Sequence, residues 1–263
     1  MQQNKQPRTG QKNILKKAAR MLLSAAVWLA VWQIAFLLIH NDILFASPAA
    51  VFTRLWELIQ TGSFWLKTGH SVLGVMEGYC LGVLAGTVLA VLTASSRLLY
   101  LLFRPVLSVI KATPVVSFII LALVWMQKNT VPVFISFLMV LPIIWANLSM
   151  AIRQTDRDLL EMGRSYGLGP WKLIRKIYVP SVIPAFLTAL TTAIGFAWKS
   201  GIAAEVISTP RDTIGTALND SKVYLETTDL FAWTIAVILL SILFEKLIVW
   251  GIGKITKSAG GKS

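Results

Sequence analysis

Between Met21 and Ile39 the chain carries no charged residue, and comparable runs holding at most two charges return at 71–94, 106–126, 131–150, 181–204 and 230–252. In hydrocarbon there is no water to satisfy a backbone N–H or C=O, so a segment that crosses must bond internally as a helix or join a closed barrel. Runs of about 20 residues suit helices, which rise about 1.5 Å per residue. Composition agrees: 56% of residues are hydrophobic and 14% charged, where a soluble domain has about 25% charged. The expected fold is an all-α integral membrane protein with about six transmembrane helices. Residues 21–40 form an extra N-terminal helix, 60–252 the main membrane domain, and 1–20 and 253–263 basic tails. Within the third run, Lys111 and Pro114 predict a kink or elbow.

The 25 Lys and Arg residues give a net charge of +13. They sit at the ends of apolar runs and form no compact basic domain, which excludes a nucleic-acid-binding reading. With both termini in the cytosol, 18 of them fall on the cytosolic side, counting Lys246 at the inner part of the last run, and five outside (Arg54, Lys67, Lys128, Arg211 and Lys222), leaving Lys111 and Lys199 within the other spans. The positive-inside rule favours that orientation. The basic residues before Met21 resemble the start of a signal peptide, but the apolar run exceeds the usual length of about 7–15 residues, so an uncleaved first helix is expected.

Residues 156–180, DRDLLEMGRSYGLGPWKLIRKIYVP, are the one long polar and basic stretch between two spans. They read as two short amphipathic helices. Thr155 offers an N-cap, Asp156 and Asp158 suit the first turn, and Gly167 can take the left-handed C-cap conformation. Gly169 and Pro170 restart the helix and Pro180 is expected to end it. Leu159, Leu160, Met162 and Gly163 share a face with Tyr166, as do Trp171, Ile174, Ile177 and Tyr178 in the second helix. Asp156, Asp158 and Glu161 alternate with Arg157 and Arg164, so solvated or partner-facing ion pairs are expected.

The spacing of Glu161, Gly167, Ile177 and Pro180 resembles the EAA loop of ABC-transporter permease subunits, E-A-A, three residues, G, nine residues, I-x-L-P. Met162 and Gly163 replace the two alanines, and Val179 the leucine. Residues 60–252 are similar in layout to the binding-protein-dependent permeases of the nitrate, sulfonate and taurine group, with Ser47-Pro48 before the first core span and Ala203-Ala204-Glu205 after Trp198. The resemblance implies a type I importer permease in a bacterial-type plasma (inner) membrane. It also implies cytosolic ATP-binding cassette subunits docked on Glu161, Met162, Gly163, Gly167, Ile177 and Pro180, a second permease copy forming a homodimer, and an extracytoplasmic solute-binding protein. ATP would be bound by the partner, with no cofactor in this chain.

Other residues invite functional readings. Gly74, Gly78, Gly82 and Gly86 repeat every four residues on one helix face, suited to close packing or to lining a path. Lys199 and Glu205 are candidate pathway residues: Lys199 either faces a cavity between two copies and favours anions, or pairs with Glu205 or reaches the headgroups. Leu55, Leu58 and Ile59 suggest an amphipathic helix at the outer surface. His40 and His70 read as ordinary polar residues, and Cys80 as packing. Gly261-Lys262-Ser263 imitates the end of a phosphate-binding loop, but Thr256 replaces its first glycine and no helix can follow. No catalytic set or metal site is visible, so an enzyme is not expected. A secondary transporter, the alternative, would want internal repeats and more ionisable groups than Glu77, Lys111 and Lys199.

Overall fold

The computed structural model describes residues 9–39, 41 and 43–260, so His40 and Gly261-Lys262-Ser263 lie outside the described residues. Eleven helices are seen there: α1 (Thr9–Ile39), α2 (Pro48–Ile59), α3 (Gly62–Ser95), α4 (Arg97–Ala112), α5 (Val115–Trp125), α6 (Val131–Arg153), α7 (Arg157–Ser165), α8 (Pro170–Leu173), α9 (Val179–Ser208), α10 (Ile214–Val223) and α11 (Thr227–Gly260). Five helical segments are long and apolar enough to cross a membrane, and counting the bent pair α4–α5 as one span brings the number to six.

The packing centres on α3 and α6. A Cβ on Gly78 would overlap the Val133 carbonyl oxygen, one on Gly82 would lie 2.6 Å from Val140 Cβ, and one on Gly86 2.9 Å from Ile144 Cβ. Both sets of numbers rise together, so the helices run parallel in near backbone contact. The glycine repeat therefore serves helix packing at these three positions. Gly74 is looser, its nearest neighbour being Val133 Cγ2 at 3.8 Å.

Parallel neighbours require the chain to return between them. That return is α4 and α5, bent by 105° at Thr113-Pro114. Thr113 is extended (φ −80°, ψ 134°) because the ring of a following proline disfavours the helical region. The expected elbow is thus a near-perpendicular break. α9 runs antiparallel to α3: Val75 packs on Gly201, and the Tyr79 hydroxyl donates to the Leu190 carbonyl at 3.2 Å. α11 closes the bundle where Trp198 Nε1 donates to the Val237 carbonyl at 3.1 Å and Phe64 stacks on Trp233.

One end of the bundle collects the starts of α3, α6 and α11, the finish of α9, and helices α2 and α10. Ser47 caps α2, whose Val51, Leu55 and Leu58 are buried. Arg54 donates from Nε to Asp229 at 2.6 Å and from Nη1 to Glu57 at 3.0 Å, pinning α2 to α11. Hydrogen bonding to Asp229 and then to Glu57 raises the Arg54 pKa above its ordinary value. Trp32 joins α1 to this end through the Ala46 carbonyl and a stack on Phe231. Cys80, expected to pack, is exposed. Its side of α3 faces away from the glycine stripe, and hydropathy alone cannot distinguish a lipid-facing side from a protein-facing one.

Replacing Gly78 by alanine should destabilise the bundle by about 1–3 kcal/mol or more, because the overlap is with backbone that cannot rotate away. Gly74→Ala should stay near wild type. Thermal unfolding of the two purified variants in one detergent checks the difference.

Candidate coupling site and transport path

At the opposite end α6 leaves the bundle and turns into α7. Asp156 is the N-cap, its carboxylate accepting from the Asp158 N–H at 2.9 Å. Thr155, expected in that role, instead donates to the Ala151 carbonyl at 3.3 Å and is buried. The helix ends as the glycine suggested: Gly167 has φ +72°, its N–H reaches the Arg164 carbonyl at 2.9 Å, and the Leu168 N–H reaches the Gly163 carbonyl at 3.0 Å. This paired closure is the Schellman arrangement, and it turns the chain directly into α8.

Pro180 does not end the second helix. Residues Ile174–Tyr178 form a π-helical turn, in which the Val179 N–H bonds back to the Ile174 carbonyl, and the chain continues through Pro180 into α9. A proline ring presses on the carbonyl four residues back, and the wider π turn relieves that contact. A 39-residue rod, Pro170–Ser208, therefore joins the polar stretch to a span. The altered register also separates the expected face: Ile177 turns towards Gly163, Ile174 and Tyr178 towards α3, and Trp171 remains exposed.

Gly163 is the hinge point of the pair. A Cβ there would lie 2.8 Å from Leu173 Cδ2 and 2.9 Å from Ile177 Cδ1. A small residue in this motif position lets α7 sit on the rod. Glu161 and Met162 are exposed, and Gly167 has open space around it, so only its positive φ constrains the residue type. Leu159 (42% exposed), Met162 (51%), Tyr166 (80%) and Trp171 (74%) are left uncovered. Among the described residues the two ion pairs both involve Arg54, so Asp156, Asp158 and Glu161 have no basic partner within 4 Å. The intrachain form of the expected ion pairs is absent there.

The α6–α7 junction is tied to the turn between α3 and α4. Arg153 Nη2 donates to the Thr93 carbonyl at 3.0 Å, and its guanidinium lies 3.5 Å from the Tyr100 ring centre. Trp145 Nε1 donates to Thr93 Oγ1 at 2.8 Å. None of these residues stood out in the sequence, because only packing brings Thr93, Tyr100, Trp145 and Arg153 together.

Lys199 and Glu205 are not a pair. Glu205 is 1% exposed; its Oε2 accepts from Ser71 Oγ at 2.7 Å and from the Gly215 N–H at 2.9 Å, while Ser71 Oγ accepts from the Ile214 N–H at 2.9 Å. Gly215 is needed because a Cβ would overlap that of Glu205. The carboxylate thus clasps α3, α9 and α10 together. Lys199 is exposed on another face of α9, with Thr188 and Thr192 on turns below it. His70 Nδ1 lies 3.0 Å from the Asp212 carbonyl, an ordinary polar contact. Glu77 is exposed at one end of a groove of about 830 Å³ between α3 and α6, beside Asn129 and Thr130. No group of three metal-ligating side chains occurs among the described residues.

Residues 78–252 match the family described as binding-protein-dependent transport system inner membrane component. The chain is 29% identical over 217 residues to SsuC of Escherichia coli (strain K12), named for aliphatic sulfonates transport, covering 79% of this chain and 82% of that protein. It is 27% identical over 234 residues to the riboflavin transport system permease protein RibX of Chloroflexus aurantiacus, covering 84% and 85%. With the nitrate import permease protein NrtB of Synechococcus elongatus it shares 26% identity over 208 residues, 73% of each chain. In fold it is similar to a chain of a bacterial ABC transporter involved in the import of alginate, with TM-score 0.62, 16% identity, and 95% and 100% of the two chains covered. A chain of the MetNI methionine ABC transporter gives TM-score 0.54 at 15% identity, covering 79% and 95%. The chain belongs to the binding-protein-dependent transport system inner membrane components, as a permease subunit of an ABC importer and not an enzyme.

Proposed function

We propose that two copies of this chain form the membrane path of an importer for a small anionic solute, with ATPase subunits docked on α7 and α8 and an extracytoplasmic binding protein at the opposite end. The observation that carries the reading is the uncovered apolar surface of Leu159, Met162, Tyr166 and Trp171 on a helix pair held rigid by Gly163 and the Gly167 turn. Such a surface, rimmed by charged residues, suits a protein groove. Because α8, the π turn and α9 are one rod, a push on α7 and α8 is transmitted directly to a span.

Charge supports the orientation. The α7–α8 end carries Arg97, Arg153, Arg157, Arg164, Lys172, Arg175 and Lys176 beside Asp156, Asp158 and Glu161, and the other end Arg54, Lys67, Lys128, Arg211 and Lys222 beside Glu57, Glu205, Asp212, Asp220, Glu226 and Asp229. That distribution supports an orientation with α7 and α8, and both termini, in the cytosol of a bacterial-type plasma membrane. The anion reading rests on Lys199, exposed on a span face that also carries Thr188 and Thr192. An ammonium there is tolerated next to water or a partner copy, not beside acyl chains. Relatives named for sulfonates, bicarbonate and nitrate support a small anion.

Reporter fusions near Leu168 should read cytosolic and those near Asn219 external; an external reading at Leu168 removes the docking model. Gly163→Leu should abolish co-purification of the ATPase subunit by driving α7 off the rod, while Glu161→Ala should be mild. Gly167→Ala should cost about 1 kcal/mol of local order, and Gly167→Asn less, since asparagine enters the left-handed region more readily. Lys199→Met should lower uptake of an alkyl sulfonate or nitrate with ATPase association intact, and wild-type uptake would remove Lys199 from the path.

A further inference from the structure

A second groove, of about 470 Å³, opens at the α7–α8 end between α3, the end of α6 and the rod. Val91, Ser95, Ile152, Tyr178, Val182 and Phe186 are among its walls. It runs from Ser95 down to Thr87 on α3, about 12 Å at 1.5 Å per residue. Its walls are largely aliphatic and aromatic, and the π turn helps to form them through Ile174 and Tyr178.

The mouth differs from the walls. Arg175 and Lys176 stand about one helical turn beyond Val179 and about two beyond Val182, and Lys172 one turn further. All three are exposed, and none lies within 4 Å of a carboxylate among the described residues. From Pro170 to Ala204 the sequence contains no acid. An apolar groove that opens at a membrane surface near three cations without a carboxylate within 4 Å has the charge pattern of an anionic phospholipid site.

We infer that this groove is a phospholipid site, taking one acyl chain between α3 and the rod with the lipid phosphate on Arg175, Lys176 and Lys172. Lys172 lies on α8 beside Trp171 of the docking face, whereas Arg175, Lys176 and the groove lie beyond it along the rod. The site relies on the proposed orientation only in that the basic end meets the anionic leaflet, which the reporter fusions test independently. Occupancy would wedge the rod from α3 where the rod enters the membrane, so lipid content would bear on how far the rod can move.

The test is native mass spectrometry of the full chain after exchange into mixed phosphatidylglycerol and phosphatidylcholine micelles. Wild type should retain phosphatidylglycerol in preference. Arg175→Gln and Lys176→Gln should each lower that retention about five-fold, and Val182→Trp, which fills the slot, should abolish it. Leu73→Trp, on an exposed apolar face elsewhere, should retain lipid as wild type does. Because Val182→Trp can disturb folding, wild-type protein is also irradiated with phosphatidylglycerol carrying a photoreactive group in its chain, and labelling should concentrate in residues 87–95 and 178–186. Equal retention of the two lipids, unchanged retention in the Gln variants, or labelling outside those segments would overturn the site. So would cross-links of this groove to an ATPase subunit or a second copy in the assembled transporter.

Discussion

The parallel contact of α3 and α6 is the constraint on which the other helices depend. Gly78, Gly82 and Gly86 remove the side chains that would hold the two backbones apart. In a bilayer, lipid tails compete with apolar side chains on equal terms, so close van der Waals approach replaces the hydrophobic effect as the source of helix association. Once the two helices run parallel, the segment between them must cross back. The break at Thr113-Pro114 lets α4 and α5 do so with a right-angled path. α9 then has one groove to enter, and Gly201 meets Val75 and the Ser136 hydroxyl there.

Polar contacts act at the two ends of this frame. At one, Glu205 gathers Ser71 and the first turn of α10, so a buried carboxylate is satisfied by a hydroxyl and a backbone N–H. At the other, Arg153 and Trp145 converge on Thr93 just before the chain enters α7. The first contact keeps the finish of α9 in place, and the second fixes the point from which α7 projects.

Much of the local geometry of the candidate site was legible because its signals are local. Gly167 was assigned its left-handed turn from its position after an amphipathic run, and φ +72° agrees. The cap moved from Thr155 to Asp156, a shift of one residue that side-chain competition decides: Thr155 bonds back into α6, and the carboxylate is left to receive the Asp158 N–H. Pro180 misled for a different reason. The helix passes through it by way of the π turn at Ile174–Tyr178, and a local proline signal carries no record of such a turn.

Length, apolar runs and the placement of basic residues determined by themselves that this chain is a helical membrane protein with its polar stretch between two spans, because hydrocarbon leaves a backbone few other options. The elbow at Pro114 and the turn at Gly167 follow from covalent geometry and were readable in the same way. Tertiary structure alone decided that α3 and α6 are parallel partners, that Glu205 clasps Ser71 and Gly215 and not Lys199, that Cys80 is exposed, and that α8 and α9 are one rod. Each depends on which helix face meets which neighbour. An apolar residue reads the same whether lipid or protein covers it, so hydropathy that identifies the spans carries no record of their pairing.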